Sequence, residues 1–323
     1  MKSIDSHIQP QYFLKGFLAA KREANHDDFL FVYKKGMPFK TDGTRKENNP
    51  SKSGLGNMAF VKNFYAFLKD DGTKDTETYE KKLQQEIENP GNPVLTKLRT
   101  IQLKKSEVIK VADFLSDDER RKFTRYVGGM YARSKKNREK FNTVVQESSK
   151  EANKQGFSYA DIASKLPPNE KKKFEQYCRS KNPEFDESTG RFSVPTKYVE
   201  EFGDKTQKDE SFPKSIFRAV DLLEPIILNM KWQIRITSAL NKFFTGDEPV
   251  FYTNLREPNA ELLFPISSNA IFCASNNQNL TEDIFLEEND KFVTEVRDIF
   301  AQQCRELYFS TQAKWLVDFF NRR

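Results

Sequence analysis

The sequence predicts an α+β fold in which a helical central region is flanked by strand-rich N- and C-terminal parts that combine into one sheet. Three observations carry this. Short aromatic and β-branched runs bounded by charged residues gather before residue 70 and again after residue 230. Long stretches with apolar residues at helical spacing occupy the middle. The 29 Phe and 11 Tyr supply large buried areas per residue, so a core is attainable although hydrophobic residues make up only 37% and charged residues 31%. A length of 323 residues exceeds the usual roughly 100 to 200 residues per domain, but mixed folds run longer without splitting. Residues 1–323 are therefore read as a single α+β domain, with 148–211 as a helical insertion or lid.

In chain order, Phe29-Leu30-Phe31-Val32-Tyr33 and residues 58–61 followed by Phe64-Tyr65 read as strands of a small N-terminal sheet. Residues 41–56 between them, rich in Gly, Asn, Lys and Ser, read as a mobile loop. Residues 76–87 form an exposed helix ended by Asn89-Pro90-Gly91, after which Pro93 restarts the chain. Ser116 and Glu119 match a capping box, and a helical pattern holds from there through about Val145, with Phe123, Tyr126, Met130, Phe141 and Val144 near one stripe. Arg133 and Asn137 interrupt that stripe. Because Tyr126, Met130, Arg133 and Asn137 are spaced by four, three and four, the two polar side chains point where the core residues point.

Residues 148–211 are Lys-rich and broken by Pro167-Pro168, Asn182-Pro183 and Gly203. Ile216, Phe217, Val220 and Leu223 mark the next helix, after which Trp232, Ile234 and Ile236 alternate with Lys231, Gln233, Arg235 and Thr237 as in a half-buried strand. Strands follow at 242–245, 250–253, 262–266 and 270–274, with Gly246-Asp247-Glu248-Pro249 as turn material. A long helix carrying Phe292, Val296, Ile299 and Gln303, a strand at 307–309 and a terminal helix with Trp315, Leu316 and Phe319 complete the order.

Lys and Arg total 53 against 47 acidic residues, a net of +6 that is too mild to indicate nucleic acid by itself. The local distribution is stronger. From Glu119 to Lys140 nine bases stand against two acids, a local +7, in a segment that includes Arg120, Arg121, Lys135 and Lys136. Glu282, Asp283, Glu287, Glu288 and Asp290 form an opposing acidic patch, which predicts a charge asymmetry across the surface. Cys178, Cys273 and Cys304 are widely spaced with no C-x-x-C, which speaks against a disulfide framework, a zinc ribbon or a thioredoxin-like site and fits a cytoplasmic setting. No signal-length apolar run occurs at the N-terminus, and the apolar stretch at 222–230 is broken by Glu224, Pro225 and Asn229, so no membrane partner is expected. Oligomeric state is not legible.

The opening Ser6-His7-Ile8-Gln9-Pro10-Gln11-Tyr12-Phe13-Leu14-Lys15-Gly16-Phe17 reads H-x-x-P-x-x-F-L-x-x-F. It resembles the opening signature of domain-of-unknown-function family 4238. Phe64-Tyr65, Glu80 with Ile87-Glu88 ahead of Leu95 and Leu98, and Arg133 in a long helix are similar to further family features. Trp232 and the run Phe243-Phe244-Thr245-Gly246-Asp247-Glu248-Pro249-Val250, followed by Phe264-Pro265-Ile266, look like the family's W…F-x-T-S-D-N-P-V and F-P-L. Gly246 stands where that pattern has serine and Glu248 where it has asparagine. The family is uncharacterised, so the resemblance implies no reaction.

The residues themselves suggest candidates. His7 has the one side-chain type whose ordinary pKa suits a general base near neutrality, and it equally suits a metal ligand or a structural hydrogen bond. Arg133 on an apolar stripe needs an anionic partner if buried, which Glu88, Asp247 or an anionic substrate would provide. Together His7, Glu88, Arg133 and Asp247 supply a base, carboxylates for Mg or Mn and an arginine for transition-state charge. In that reading Arg120, Arg121, Lys135, Lys136 and Asn137 hold a phosphate backbone, with Tyr12 and Thr245 from the two motifs as further binding residues. No Walker loop, G-x-G-x-x-G, G-x-S-x-G or H-E-x-x-H occurs, leaving P-loop hydrolysis, dinucleotide redox chemistry, serine esterase and zincin chemistry without support. Two readings are open. The first is a nucleic-acid-acting effector, a metal-dependent nuclease of a bacterial defence or toxin system by analogy alone. The second is a non-enzymatic nucleic-acid or protein binding module whose His-Pro-aromatic motif is structural.

Overall fold

The computed structural model describes residues 5–7, 9–18, 29–35, 51–55, 59–62, 64–69, 73–155, 157–158, 184–186, 191–193, 211–237, 242–255, 257–287 and 289–309. They divide into two compact units, one of residues 1–66, 76–137 and 213–323, the other of 67–75 and 138–212. The expected insertion at 148–211 falls in the second.

In the first unit β1 (Asp5–His7) precedes a turn of helix α1 (Gln11–Leu14), and β2 (Phe29–Lys34), β3 (Ser51–Gly54) and β4 (Phe60–Lys62) follow. The second unit holds β5 (Phe67–Leu68) paired with β6 (Lys74–Asp75). It also holds the small sheet of β8 (Phe157–Ser158), β9 (Glu184–Asp186) and β10 (Arg191–Ser193). Between these lie, in the first unit, α2 (Thr78–Leu83), α3 (Asn89–Arg99), β7 (Val108–Lys110), α4 (Val111–Phe114) and α5 (Asp117–Ala132). Helix α6 (Lys135–Gln155) comes next, and after the insertion α7 (Ser211–Asn229) and β11 (Lys231–Thr237). The chain continues through β12 (Thr245–Gly246), β13 (Phe251–Tyr252), β14 (Glu261–Pro265), β15 (Ala270–Ser275), β16 (Asp283–Glu287), α8 (Asp290–Gln303) and β17 (Glu306–Phe309). The terminal helix expected around Trp315 lies outside the described residues.

One combined sheet was expected, and two principal sheets are present. N- and C-terminal strands do join, in the order β12-β17-β2-β3, so residues 31–34 pair with residues 306–309. The larger sheet runs β13-β14-β15-β11-β16-β7. Two of its strands escape a local reading. Residues 283–287 look acidic, yet Ile284, Phe285 and Leu286 carry them into the sheet parallel to β11. The short β7 pairs with the far side of β16. Likewise residues 51–54, expected in a loop, form β3 against β2, because an edge strand needs backbone pairing on one side and few apolar side chains.

The core follows from the strand period. Trp232, Ile234, Phe264 and Phe272 occupy one face of the large sheet, and Phe123 of α5 packs edge-on to Phe272 with ring centroids 5.1 Å apart. The capping box that starts α5 is formed as expected, with Ser116 accepting from the Glu119 amide and Glu119 accepting from the Ser116 amide.

Two helix boundaries differ from expectation. Helix continues through Asn89-Pro90-Gly91 and Pro93, from Thr78 to Arg99, with a π-helical turn at Gln84–Glu88 joining α2 to α3. The wider turn makes room for Pro90, whose ring would clash with the Glu86 carbonyl of an ordinary helix and which has no N–H to donate. The helix expected to run to Val145 instead breaks at Arg133 and Ser134. There Ser134 caps α6 by accepting from the Asn137 amide, and the Glu248 carboxylate accepts from the Lys136 amide.

Candidate functional site

The opening motif is built around a guanidinium. Phe13, Leu14 and Phe17 are buried, and Phe13 stacks on Phe264 at 5.2 Å. Arg99, at the last turn of α3, donates from Nε to the Ile266 carbonyl (3.0 Å), from Nη1 to that of Tyr12 (3.0 Å) and from Nη2 to that of Phe13 (2.7 Å). It thereby caps α1 and ties it to the end of β14. Gly16 lies beneath this clamp. A Cβ there would stand 2.6 Å from Arg99 Nε, and the guanidinium, held by three carbonyls, has no easy way to yield. Burial lowers the Arg99 pKa to about 10, with the Tyr126 and Tyr12 hydroxyls opposing. Sequence reading passed Arg99 over. The signal was there, a base ending the apolar stripe Val94-Leu95-Leu98.

The second motif forms a turn that fastens β12 to β17. Asp247 Oδ1 accepts from the backbone amides of Arg305 (2.9 Å) and Glu306 (3.2 Å), and the Asp247 amide donates to the Glu306 carbonyl (3.0 Å). The side-chain amide of Gln9 donates to the Gly246 carbonyl, so the opening segment touches this turn. Gly246 replaces serine for a steric reason, since a Cβ would come within 2.5 Å of Cys304 Sγ and the Glu306 carbonyl. Glu248, in place of asparagine, keeps a hydrogen-bonding role by capping α6. Burial raises the pKa of both Asp247 and Glu248 from their ordinary values, against the backbone amides at Asp247 and the Ser134 hydroxyl and Lys136 amide at Glu248, which favour the charged forms.

The third feature is the Arg133 cluster. Helices α3 and α5 approach closely because a Cβ on Gly91 would meet the Tyr126 ring at 2.4 Å and one on Gly129 would meet Ile87 at 2.8 Å. That approach sets Glu88, at the end of the π-helical turn, beside Arg133 at the C-terminus of α5. Arg133, 1% exposed, donates from Nη1 to Glu88 Oε1 at 2.5 Å and from Nη2 to Met130 Sδ at 2.8 Å. Its side chain also bonds the buried Tyr65 hydroxyl. Burial opposes the charge on Arg133, but Glu88, Tyr65 and Tyr126 outweigh it and hold the group above its ordinary value. Burial raises both tyrosines, with Arg133 opposing. Arg133 Nε and the Tyr126 hydroxyl are buried with no hydrogen-bond partner among the described residues.

With this geometry in place, the chain can be set against known families. The model of a family described as a protein of unknown function, DUF4238, matches residues 7–314. The chain belongs to that family. No curated protein and no solved structure matches it. The match spans both motifs and the Arg133 cluster, so these are parts of the family domain.

Of the four residues proposed to form a site, Glu88 and Arg133 meet, and Asp247 serves the β12–β17 turn. His7 pairs with Phe60 through the β1–β4 ladder, and its side chain lies outside the described residues. Among the described residues no group of three or more His, Cys, Asp or Glu is arranged to hold a metal ion. No described helix is long and apolar enough to cross a membrane.

The basic segment is largely partnered. Arg120 pairs with Glu282 at 2.8 Å and lies over the Trp232 ring, and Arg125 pairs with Asp221 and Glu224. Arg120–Glu282 thus joins the two predicted patches, while Asp283 and Glu287 pair with Lys110 and Arg235, which lie outside the basic segment. Arg121 remains solvent-facing at 67% exposure, its nearest acid Glu224 at 3.4 Å, and Lys136 is exposed. Lys135 is half-buried, and the remaining expected binding residues have structural partners or no surface. Asn137 donates to the Tyr131 carbonyl, the Tyr12 hydroxyl bonds Thr96, and Thr245 is fully buried.

Proposed function

We propose that this protein is a non-enzymatic binding module for nucleic acid, with its two motifs serving as architecture. The observation that carries this reading is the engagement of Asp247, whose carboxylate closes a turn through two backbone amides instead of facing a cleft. The Arg99 clamp under the aromatic motif supports the same view. Nucleic acid would contact the solvent-facing Arg121 near the start of α5 and, past its end, the exposed Lys136 with the half-buried Lys135 next to it in the chain. About three phosphate contacts give a logarithmic salt slope of roughly −2 to −3, weak and indifferent to sequence.

Gel-shift titration of duplex and single-stranded oligonucleotides at low and high salt tests this. A low-salt shift that disappears in the Arg121→Glu, Lys135→Glu, Lys136→Glu triple variant is expected, and no shift at low salt removes the proposal. A catalytic reading draws its support from the unpartnered Arg133 Nε and Tyr126 hydroxyl beside Glu88, donors suited to an anionic group. It predicts strand cleavage with Mg²⁺ or Mn²⁺ that Glu88→Gln abolishes while the gel shift persists.

A further inference from the structure

The six-stranded sheet has two unlike faces. The face under α5 is the apolar core described above. On the other, Lys231, Ser275 and Glu261 stand in register across β11, β15 and β14. One rung on, in the same facing, come Gln233, Cys273 and Leu263. Helix α8 covers part of this face with Phe292, Val296 and Ile299, and a cavity of about 230 Å³ remains between helix and sheet. None of His7, Glu88, Arg133 or Asp247 borders it. It is smaller than the roughly 300 to 1,000 Å³ of drug-sized ligand pockets, which restricts an occupant to a small molecule.

The lining is bipolar. Arg235 donates to Glu287 and to Gln233 at 2.9 Å each and lies 4.0 Å from the Phe292 ring centroid. Its Nε is nevertheless buried with no hydrogen-bond partner among the described residues. Lys231 approaches Glu282 only to 3.9 Å. At the other pole stand the exposed Glu261 and Glu295, the latter 3.8 Å from Lys291 in a solvent-facing contact. A purely anionic occupant would face Glu261 and Glu295, and a purely cationic one Lys231 and Arg235. An uncharged apolar one would leave the cavity-lining Lys231 and Glu261 without a counter-charge. Only a molecule carrying both charges and an apolar portion meets every group. Burial pushes the Cys273 thiol up to about 12, so it borders the cavity as a neutral group and offers no nucleophile.

We propose that this cavity binds a small zwitterion of the free α-amino acid class, with its carboxylate toward Arg235 and Lys231, its ammonium toward Glu261 and Glu295, and its apolar side chain against Phe292, Val296 and Ile299. The site is independent of the nucleic-acid reading. Calorimetry and thermal melting of the full chain with L-phenylalanine and L-leucine provide the test, beside two single-charge probes, 3-phenylpropionate and phenethylamine. One or both amino acids should bind and raise the melting temperature, and each single-charge probe should bind about tenfold or more weakly than L-phenylalanine. Glu261→Gln, at an exposed position, should weaken the amino acid about tenfold while 3-phenylpropionate binds no more weakly than to the parent. The proposal is overturned if neither amino acid binds, if a single-charge probe binds as tightly as L-phenylalanine, or if Glu261→Gln binds the amino acid as well as the parent.

Discussion

Arg133 is buried and Arg99 half-buried in the first unit, and they are satisfied in opposite ways. Arg99 has no carboxylate in its clamp. Three backbone carbonyls absorb its donors, and burial lowers its pKa to about 10. Arg133 has one carboxylate, Glu88, a thioether and a tyrosine hydroxyl, and its Nε is left over. The first arrangement engages all three guanidinium nitrogens and fixes a local chain path. The second neutralises a charge while leaving donor capacity unused, which is how a place able to receive a further polar group differs from a structural clamp.

That contrast can be broken directly. Glu88→Leu should cost the most, about 3 to 5 kcal/mol, because it strands the buried Arg133 charge, and adding Arg133→Met should recover most of the loss. Urea midpoints of the two single variants and the double variant measure this. Equal stability of Glu88→Leu and the parent would show that Arg133 is not dependent on its acid. Arg99→Met should cost about 2 to 4 kcal/mol, since it frees three carbonyls at once and has no acid whose removal could compensate. Gly16→Ala should fall in the same direction by forcing the clamp open, and an unchanged melting curve for it would contradict the geometry.

The turn at Asp247 sharpens the comparison at smaller scale. Asp247→Ala orphans two part-buried amides and should cost about 1 to 3 kcal/mol, whereas Asp247→Asn keeps an acceptor and should cost much less. Thermal melts of the pair decide it, and equal losses would mean that the charge, not the acceptor, holds the turn. The smallest expected effect is in pH. Burial raises the folded-state pKa of Asp247, so the folded protein binds the extra proton. The parent should therefore lose stability relative to Asp247→Asn as pH rises from about 4, the unfolded value, through the raised one. A parent that gains on the variant over that interval would reverse the assignment.

A short window of residues carries the features that depend on its own spacing alone. The alternation of Trp232, Ile234 and Ile236, the Ser116–Glu119 capping box, the apolar stripe of α5 and the aromatic face after Pro10 each appear where the spacing put them. The stripe even showed that Arg133 would point inward and need an acid. It could not choose between Glu88 and Asp247, because that depends on how closely Gly91 and Gly129 let two helices approach. Other features lay beyond any window. Glu282 and Asp283 read as a surface patch until Arg120 and Lys110, more than 160 positions away, are placed against them. Pro90 reads as a helix stop until a π-helical turn makes room for it. Arg99 reads as an ordinary surface base until the carbonyls of Tyr12, Phe13 and Ile266 converge on it. In each case the local pattern records a side chain's own preference, while the partner that satisfies a buried charge or an edge strand is supplied by a distant segment, and only tertiary structure decides which one arrives.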